Sequence, residues 1–306
     1  MDNFKTGLAR PAAVEWPTLA LAVLIYTSWG LLTFYHAALP WGLMIPLGAW
    51  LIAWQTSLQH EILHGHPTRW RGFNRALASV PLSLWLPYEG YRISHLIHHR
   101  DERLTDPFDD PETYYWTPQD WSRLSPLAHM FIKAQTTLAG RLLLGPLWIV
   151  PRYLWAEAKA LWAGKAVARE VWLRHLPALA LVLLWLVFIC KINILFYVFG
   201  VVYPGTSLML LRSFAEHRAA VNSKERTAIV ENAGALGWLF LFNNLHSVHH
   251  EEPMLPWYEI PAWYRRHRTR LLHENGGLVY NGYGEIVRRY LFRSHDVPIH
   301  PFGRAP

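Results

Sequence analysis

Residues 176 to 211 form a nearly unbroken apolar run of 36 positions. A straight α-helix of that length would span about 54 Å, whereas the hydrocarbon core of a bilayer is about 30 Å thick. The run therefore has to fold back on itself. Lys191 and Asn193 are its only strongly polar interior residues and mark the turn, because a lysine there can snorkel to the far interface. Upstream, Thr18 to Ala38 carries no charge, and it is too long for a secretory signal core, so it reads as a retained membrane helix. A second segment begins at Trp41, directly after Pro40, which predicts a tight hairpin. The expected architecture is an all-α integral membrane protein with four transmembrane helices in two hairpins, about 18–38, 41–59, 173–190 and 192–211. A cytoplasmic helical cap is expected from 60–172 and 212–306, within a single domain over 1–306.

Charge sets the orientation. Of the 29 Lys and Arg, 2 lie in residues 1–17, 13 in 60–172 and 12 in 212–306, and only Lys191 falls on the hairpin side. By the positive-inside rule the termini and the central segment face the cytoplasm, which would be the inner membrane of a bacterium. The basic pI of about 9.5 then needs no nucleic acid: anionic lipid headgroups account for it, and an acidic electron carrier could use the same face. Cys190 is the single cysteine and lies in an apolar run, so disulfides and thiolate zinc sites are excluded. Within 60–172, Tyr153–Trp172 places Leu154, Ala158, Leu161 and Trp162 on one face, as an interfacial helix would. Asp101–Pro111, DERLTDPFDDP, reads as an ordered polar loop. Pro204-Gly205 predicts a kink in the fourth membrane segment.

The 17 histidines are not scattered. HEILH at 60–64 alone is weak, because about one His-x3-His pair is expected by chance. The triple His-x2-His-His is expected about 0.05 times per chain, and this chain has it twice, as HLIHH at 95–99 and HSVHH at 246–250. In each cluster the i and i+4 imidazoles share a helix face, with i+3 beside them. All three clusters fall near cytoplasmic ends of the expected hairpins. Eight nitrogen donors exceed one tetrahedral zinc and suit two metal ions with open positions. His217, just past the fourth segment, is a candidate ninth ligand. Glu61, Glu216, Asp106 and Asn244 are close enough in sequence to orient imidazoles, as are Asn243, Asp101 and Asp109.

HEILH, HLIHH and HSVHH, in that order and in that relation to two membrane hairpins, resemble the three histidine boxes of the membrane fatty acid desaturases. The likeness covers residues 15 to 265, and NNLHSVHHEEPMLPWYEIP resembles the third box with its trailing Pro-Trp-Tyr. The resemblance implies that His60, His64, His95, His98, His99, His246, His249 and His250 bind two iron ions, with His217 matching the extra histidine of some members. It further implies O2-dependent removal of two hydrogens from a fatty acyl chain. The chain has no His-Pro-Gly-Gly signature of a fused cytochrome b5 and too few cysteines for a fused ferredoxin. Electrons are therefore expected from a separate donor, such as ferredoxin with its reductase. The same scaffold hosts hydroxylases and carotenoid ketolases, while SHLIHH does not match the second box of the alkane hydroxylases.

Two readings of other classes compete. HEILH is literally H-E-x-x-H, the zinc-peptidase pattern with Glu61 as general base, but that reading leaves both HxxHH triples unused. A haem-binding subunit would place its axial histidines within the membrane helices and not in adjacent clusters at their ends.

Overall fold

The computed structural model describes residues 14–302. Its helices are α1 (Trp16–Phe34), α2 (Trp41–Leu63), α3 (Arg71–Ala78), α4 (Tyr88–His98), α5 (Pro118–Ser122), α6 (Pro126–Gln135) and α7 (Leu138–Trp162). They are followed by α8 (Ala166–Leu183), α9 (Ile194–Phe196), α10 (Tyr203–Glu216), α11 (Ala235–Leu239), α12 (His246–Glu251), α13 (Ile260–Glu274) and α14 (Tyr283–Tyr290). Wide π-helical turns continue α8 through Leu184–Ile189 and join α9 to α10 through Tyr197–Val202. Two short strands, β1 (Ile229–Glu231) and β2 (Val279–Asn281), pair in parallel. This pair corrects the all-α expectation; three-residue strands are too short to show a period of two.

Among the described residues, three helices are long and apolar enough to cross a membrane: Trp16–Phe34, Ala166–Ile189 and Ile194–Glu216. The last two come from the 36-residue run, which breaks where sequence places the turn. Lys191 takes a positive φ of 58°, and the Asn193 side chain caps the next helix by accepting from the backbone N–H groups of Leu195 and Phe196. Large apolar side chains cover the outside of these helices, among them Leu173, Phe188, Leu195 and Phe199, as a lipid-facing surface requires.

The segment expected over 41–59 is α2, and it differs in kind from those three. Its C-terminal half is almost wholly buried and carries polar groups that bond inside the protein: the Gln55 and Gln59 NH2 groups donate to the carbonyls of Val80 and Ala78 at 2.9 and 2.8 Å, while their Oε1 atoms have no hydrogen-bond partner among the described residues. Helix α10 lies against α2 at close range. A Cβ on Gly205 would come within 2.5 Å of the Ile52 Cβ, and one on Gly48 within 2.7 Å of Val201. Pro204 sits in the first turn of α10, directly after the wide π-helical turn, so the Pro-Gly pair serves helix packing at this point.

The interfacial helix expected over 153–172 is not continuous. Gly164, at φ +70°, ends α7 and redirects the chain into α8, because glycine carries no Cβ to oppose that conformation. Buried apolar side chains form two clusters. One joins α1, α2, the π-helical turns and α13 around Ile25, Ile52, Leu186 and Tyr197. The other joins α2, α10, the strand pair and α14 around Phe214, Phe240 and Ile286. Between these clusters, α2, α4, α10 and α12 bring their ends together.

Candidate metal centre

Four short segments deliver nine imidazoles to one place. His60 is in the last turn of α2 and His64 caps that helix, while His95 and His98 end α4 and His99 caps it. His217 follows α10 in extended backbone, and His246, His249 and His250 occupy one and a half turns of α12. The helical spacing of each box turns its histidines inward together.

They separate into two groups. Ring nitrogens of His60, His64, His95 and His249 lie within 4.8 Å of one another, and so do those of His98, His217, His246 and His250. His99 sits between the groups: its Nε2 is 2.9 Å from Nε2 of both His95 and His249, and its ring stacks on that of His250 with centroids 4.5 Å apart. Helices α4 and α12 each contribute to both groups, whereas α2 serves only the first and His217 only the second.

The outer nitrogens are held by acceptors. His98 Nδ1 donates to Asp110 Oδ1 at 2.9 Å, and His95 Nδ1 faces both oxygens of Glu112 at 3.2 Å. His246 Nδ1 is 3.2 Å from Asn243 Oδ1 and 3.3 Å from Glu216 Oε1; His217 Nδ1 meets the Arg226 carbonyl at 3.3 Å. An imidazole that donates through Nδ1 presents a lone pair at Nε2. In the second group these lone pairs converge, with His217 Nε2 lying 3.0 Å from His98 Nε2 and 2.9 Å from His246 Nε2. Three lone pairs at that range repel unless a cation lies among them.

Burial first, and then repulsion among the rings, holds His95, His246, His249 and His250 well below the usual histidine range. They are neutral, the form that ligates a metal. His98 departs from this. Burial lowers it, but Glu112 and the Asp110 hydrogen bond outweigh burial and raise it to about 8. A metal ion bound there takes the place of a proton. Two sets of four buried, inward-turned imidazoles fit a pair of transition-metal ions, iron included.

The other candidates are placed differently. Glu216 meets His246 and is itself braced by Arg212 Nε at 3.0 Å and by the Asn243 amide. Glu61, expected beside the boxes, turns away from them. It accepts the backbone N–H of Trp257 at 3.0 Å and faces His66, so it does not stand where the base of an H-E-x-x-H zinc site must. Asp106 accepts the N–H of Phe108, and the Asn244 amide donates to the carbonyl of Val230; no contact of either with a box histidine is found among the described residues. Asp109 pairs with Arg103. Sequence reasoning missed Asp110 and Glu112. The polar loop was the available signal, but which of its acids turns inward depends on a turn in which the Thr105 and Glu112 N–H groups both donate to Asp110.

A family model described as fatty acid desaturase matches residues 35–283. The chain belongs to the fatty acid desaturase family. The match takes in all three histidine boxes of this desaturase-family protein and the carboxylates that face them. Among curated proteins no sequence match is found. Membership, the apolar helices and the clustered imidazoles make the chain a membrane protein with an oxidoreductase-type lipid site.

Proposed function

We propose that the protein is an O2-dependent desaturase of a fatty acyl chain, acting at a di-iron centre with electrons from a separate donor such as ferredoxin and its reductase. The observation that carries this reading is the division of the box histidines into two adjacent four-nitrogen groups whose lone pairs turn inward. His60, His64, His95 and His249, with His99 beside them, would hold one ion, and His98, His217, His246 and His250 the other. Bound there, two irons supply the redox power to activate O2 against an unactivated C–H bond, which no side-chain acid or base can break. Desaturation removes two hydrogens from adjacent methylenes and forms one C=C bond. With two external electrons and two protons, O2 leaves as two waters.

The chain's own residues set the conditions for that chemistry. Asp110, Glu112, Glu216 and Asn243 fix the tautomers and directions of the rings that they hold. Burial of the imidazoles excludes bulk water, so that the site does not leak oxidant into solvent. We further read α2 as a fourth membrane helix, the ends of α2, α4, α10 and α12 as the cytoplasmic face, and residues 1–306 as one domain, following the distribution of positive charge.

The test is iron and zinc content per chain in detergent-purified protein, alongside His249→Ala, followed by acyl-chain analysis of lipids from cells that express each form. Two irons, reduced in the variant, together with new double bonds that the variant fails to make, are expected. A hydroxylated product on the same iron content would replace desaturation with hydroxylation. Little or no iron in the purified protein, or iron unaffected by His249→Ala, would overturn the di-iron reading.

A further inference from the structure

Beside box 1, and apart from the two imidazole groups, Glu15, Glu61 and His66 come together from the start of α1, the end of α2 and the loop after it. Each offers a ligand atom, all within 4.8 Å of one another, and all three side chains are more than nine-tenths buried. Glu15 Oε1 accepts from His66 Nδ1 at 2.7 Å, which directs the Nε2 lone pair at Glu61 Oε1. These two acceptors are 3.7 Å apart, longer than a hydrogen bond, and His66 Nε2 has no hydrogen-bond partner among the described residues. The separation suits two atoms that share an ion, because ligand distances of about 2.0–2.2 Å put donors on one cation roughly 3–4 Å apart. The carboxylates otherwise receive only neutral donors, the Thr18 hydroxyl on Glu15 and the Trp257 N–H on Glu61. No Lys or Arg is paired with either among the described residues, and buried carboxylates without a cation are costly.

We propose that His66 Nε2 and Glu61 Oε1, with Glu15 orienting the His66 ring through Nδ1, form a third metal site, independent of the histidine boxes, that binds one divalent cation of the zinc class and, through the Glu15–His66 hydrogen bond, fastens the start of α1 to the end of α2. One imidazole with one carboxylate, completed by water, is a borderline-hard donor set, unlike the all-imidazole groups next to it. The site also gives Glu61 of HEILH and His66, neither of which the box chemistry uses, a common partner.

The test is metal analysis of the chain purified from zinc-supplemented cells, with X-ray absorption at the zinc edge of the wild-type protein, beside Glu61→Gln and His249→Ala. One zinc per chain in a mixed oxygen and nitrogen shell, lost in Glu61→Gln and kept in His249→Ala, is expected. The wild-type spectrum decides even where a variant folds poorly. No zinc in the wild-type protein, or zinc in a purely imidazole shell, overturns the proposal and leaves a proton on His66 between the two acids. Iron is counted separately, so a failure of the di-iron reading and a failure of this one leave different results.

Discussion

Replacing Asp110 with Asn should loosen one metal ion of the pair and not the other. Asp110 is 5% exposed and accepts three hydrogen bonds at 2.9 Å: from His98 Nδ1 and Glu112 N on Oδ1, and from Thr105 N on Oδ2. An Asn in the same place keeps Oδ1 but sets its NH2 against the Thr105 N–H, and the flipped amide sets it against two donors. A buried donor left without an acceptor costs about 1–3 kcal/mol of stability. Separately, a neutral amide no longer raises the basicity of His98, and loss of such a partner typically weakens metal binding about 10–100-fold, or about 1.4–2.7 kcal/mol. His98 belongs to the second group alone. Release of iron to a colorimetric chelator, followed in time, should therefore be biphasic in Asp110→Asn, with one equivalent about 10–100-fold looser and the other unchanged. Loss of both equivalents together, or wild-type retention of both, would refute the claim that the two groups bind separate ions and that Asp110 serves one of them.

Glu112→Gln should loosen the ion of the first group through His95 and, because Glu112 also raises His98, that of the second group to a lesser degree; both effects should be small, up to about 10-fold, because the Glu112 side chain is 29% exposed. Gly205→Ala should lower the thermal midpoint in detergent by the equivalent of about 1–3 kcal/mol, since the new methyl meets Ile52 and the Ala49 carbonyl, while Gly42→Ala, with open space around it, should not. His295 stacks near Phe214 and accepts from the Tyr280 hydroxyl at 2.9 Å; burial holds it down to about 4. Its neutral form is favoured by folding, so its stabilisation is complete above the unfolded value near 6.5 and is lost as pH falls from 6.5 toward 4, by at most about 3 kcal/mol. Thermal midpoints between pH 7 and 5 should fall less steeply in His295→Gln, and parallel slopes would sink that assignment.

The sequence reveals the ligands far better than their supports, for a physical reason. A ligand set must meet one ion, so helical spacing of i, i+3 and i+4 stamps it onto the chain, as in HLIHH and HSVHH. A supporting acid needs only to reach one ring nitrogen from any direction. Asp110 and Glu112 do so from a loop whose turn is written in no period, while Glu61 and Asn244, neighbours in sequence to His60 and Asn243, project elsewhere. The turn at Lys191–Asn193 was legible because hydrocarbon thickness forces it. Gly164 was not: a single glycine stops a helix only if its neighbours do not outweigh it, and the amphipathic pattern of 153–172 runs straight through it. The burial of α2 was also hidden, because two-sided packing and lipid exposure ask for similar composition.

That α4 and α12 each serve both imidazole groups has a consequence for biosynthesis. His246, His249 and His250 leave the ribosome only after every expected membrane segment has been made, so neither ion can acquire its full set of donors while the chain is still being inserted. With the proposed membrane topology, the nascent protein would pass through a stage in which the apolar helices are in the bilayer and six ligand candidates, from His60 to His217, wait without their partners. On the proposed two-ion reading, metal delivery would be the closing act of assembly, and a chain that terminated before residue 246 would forfeit both ions at once.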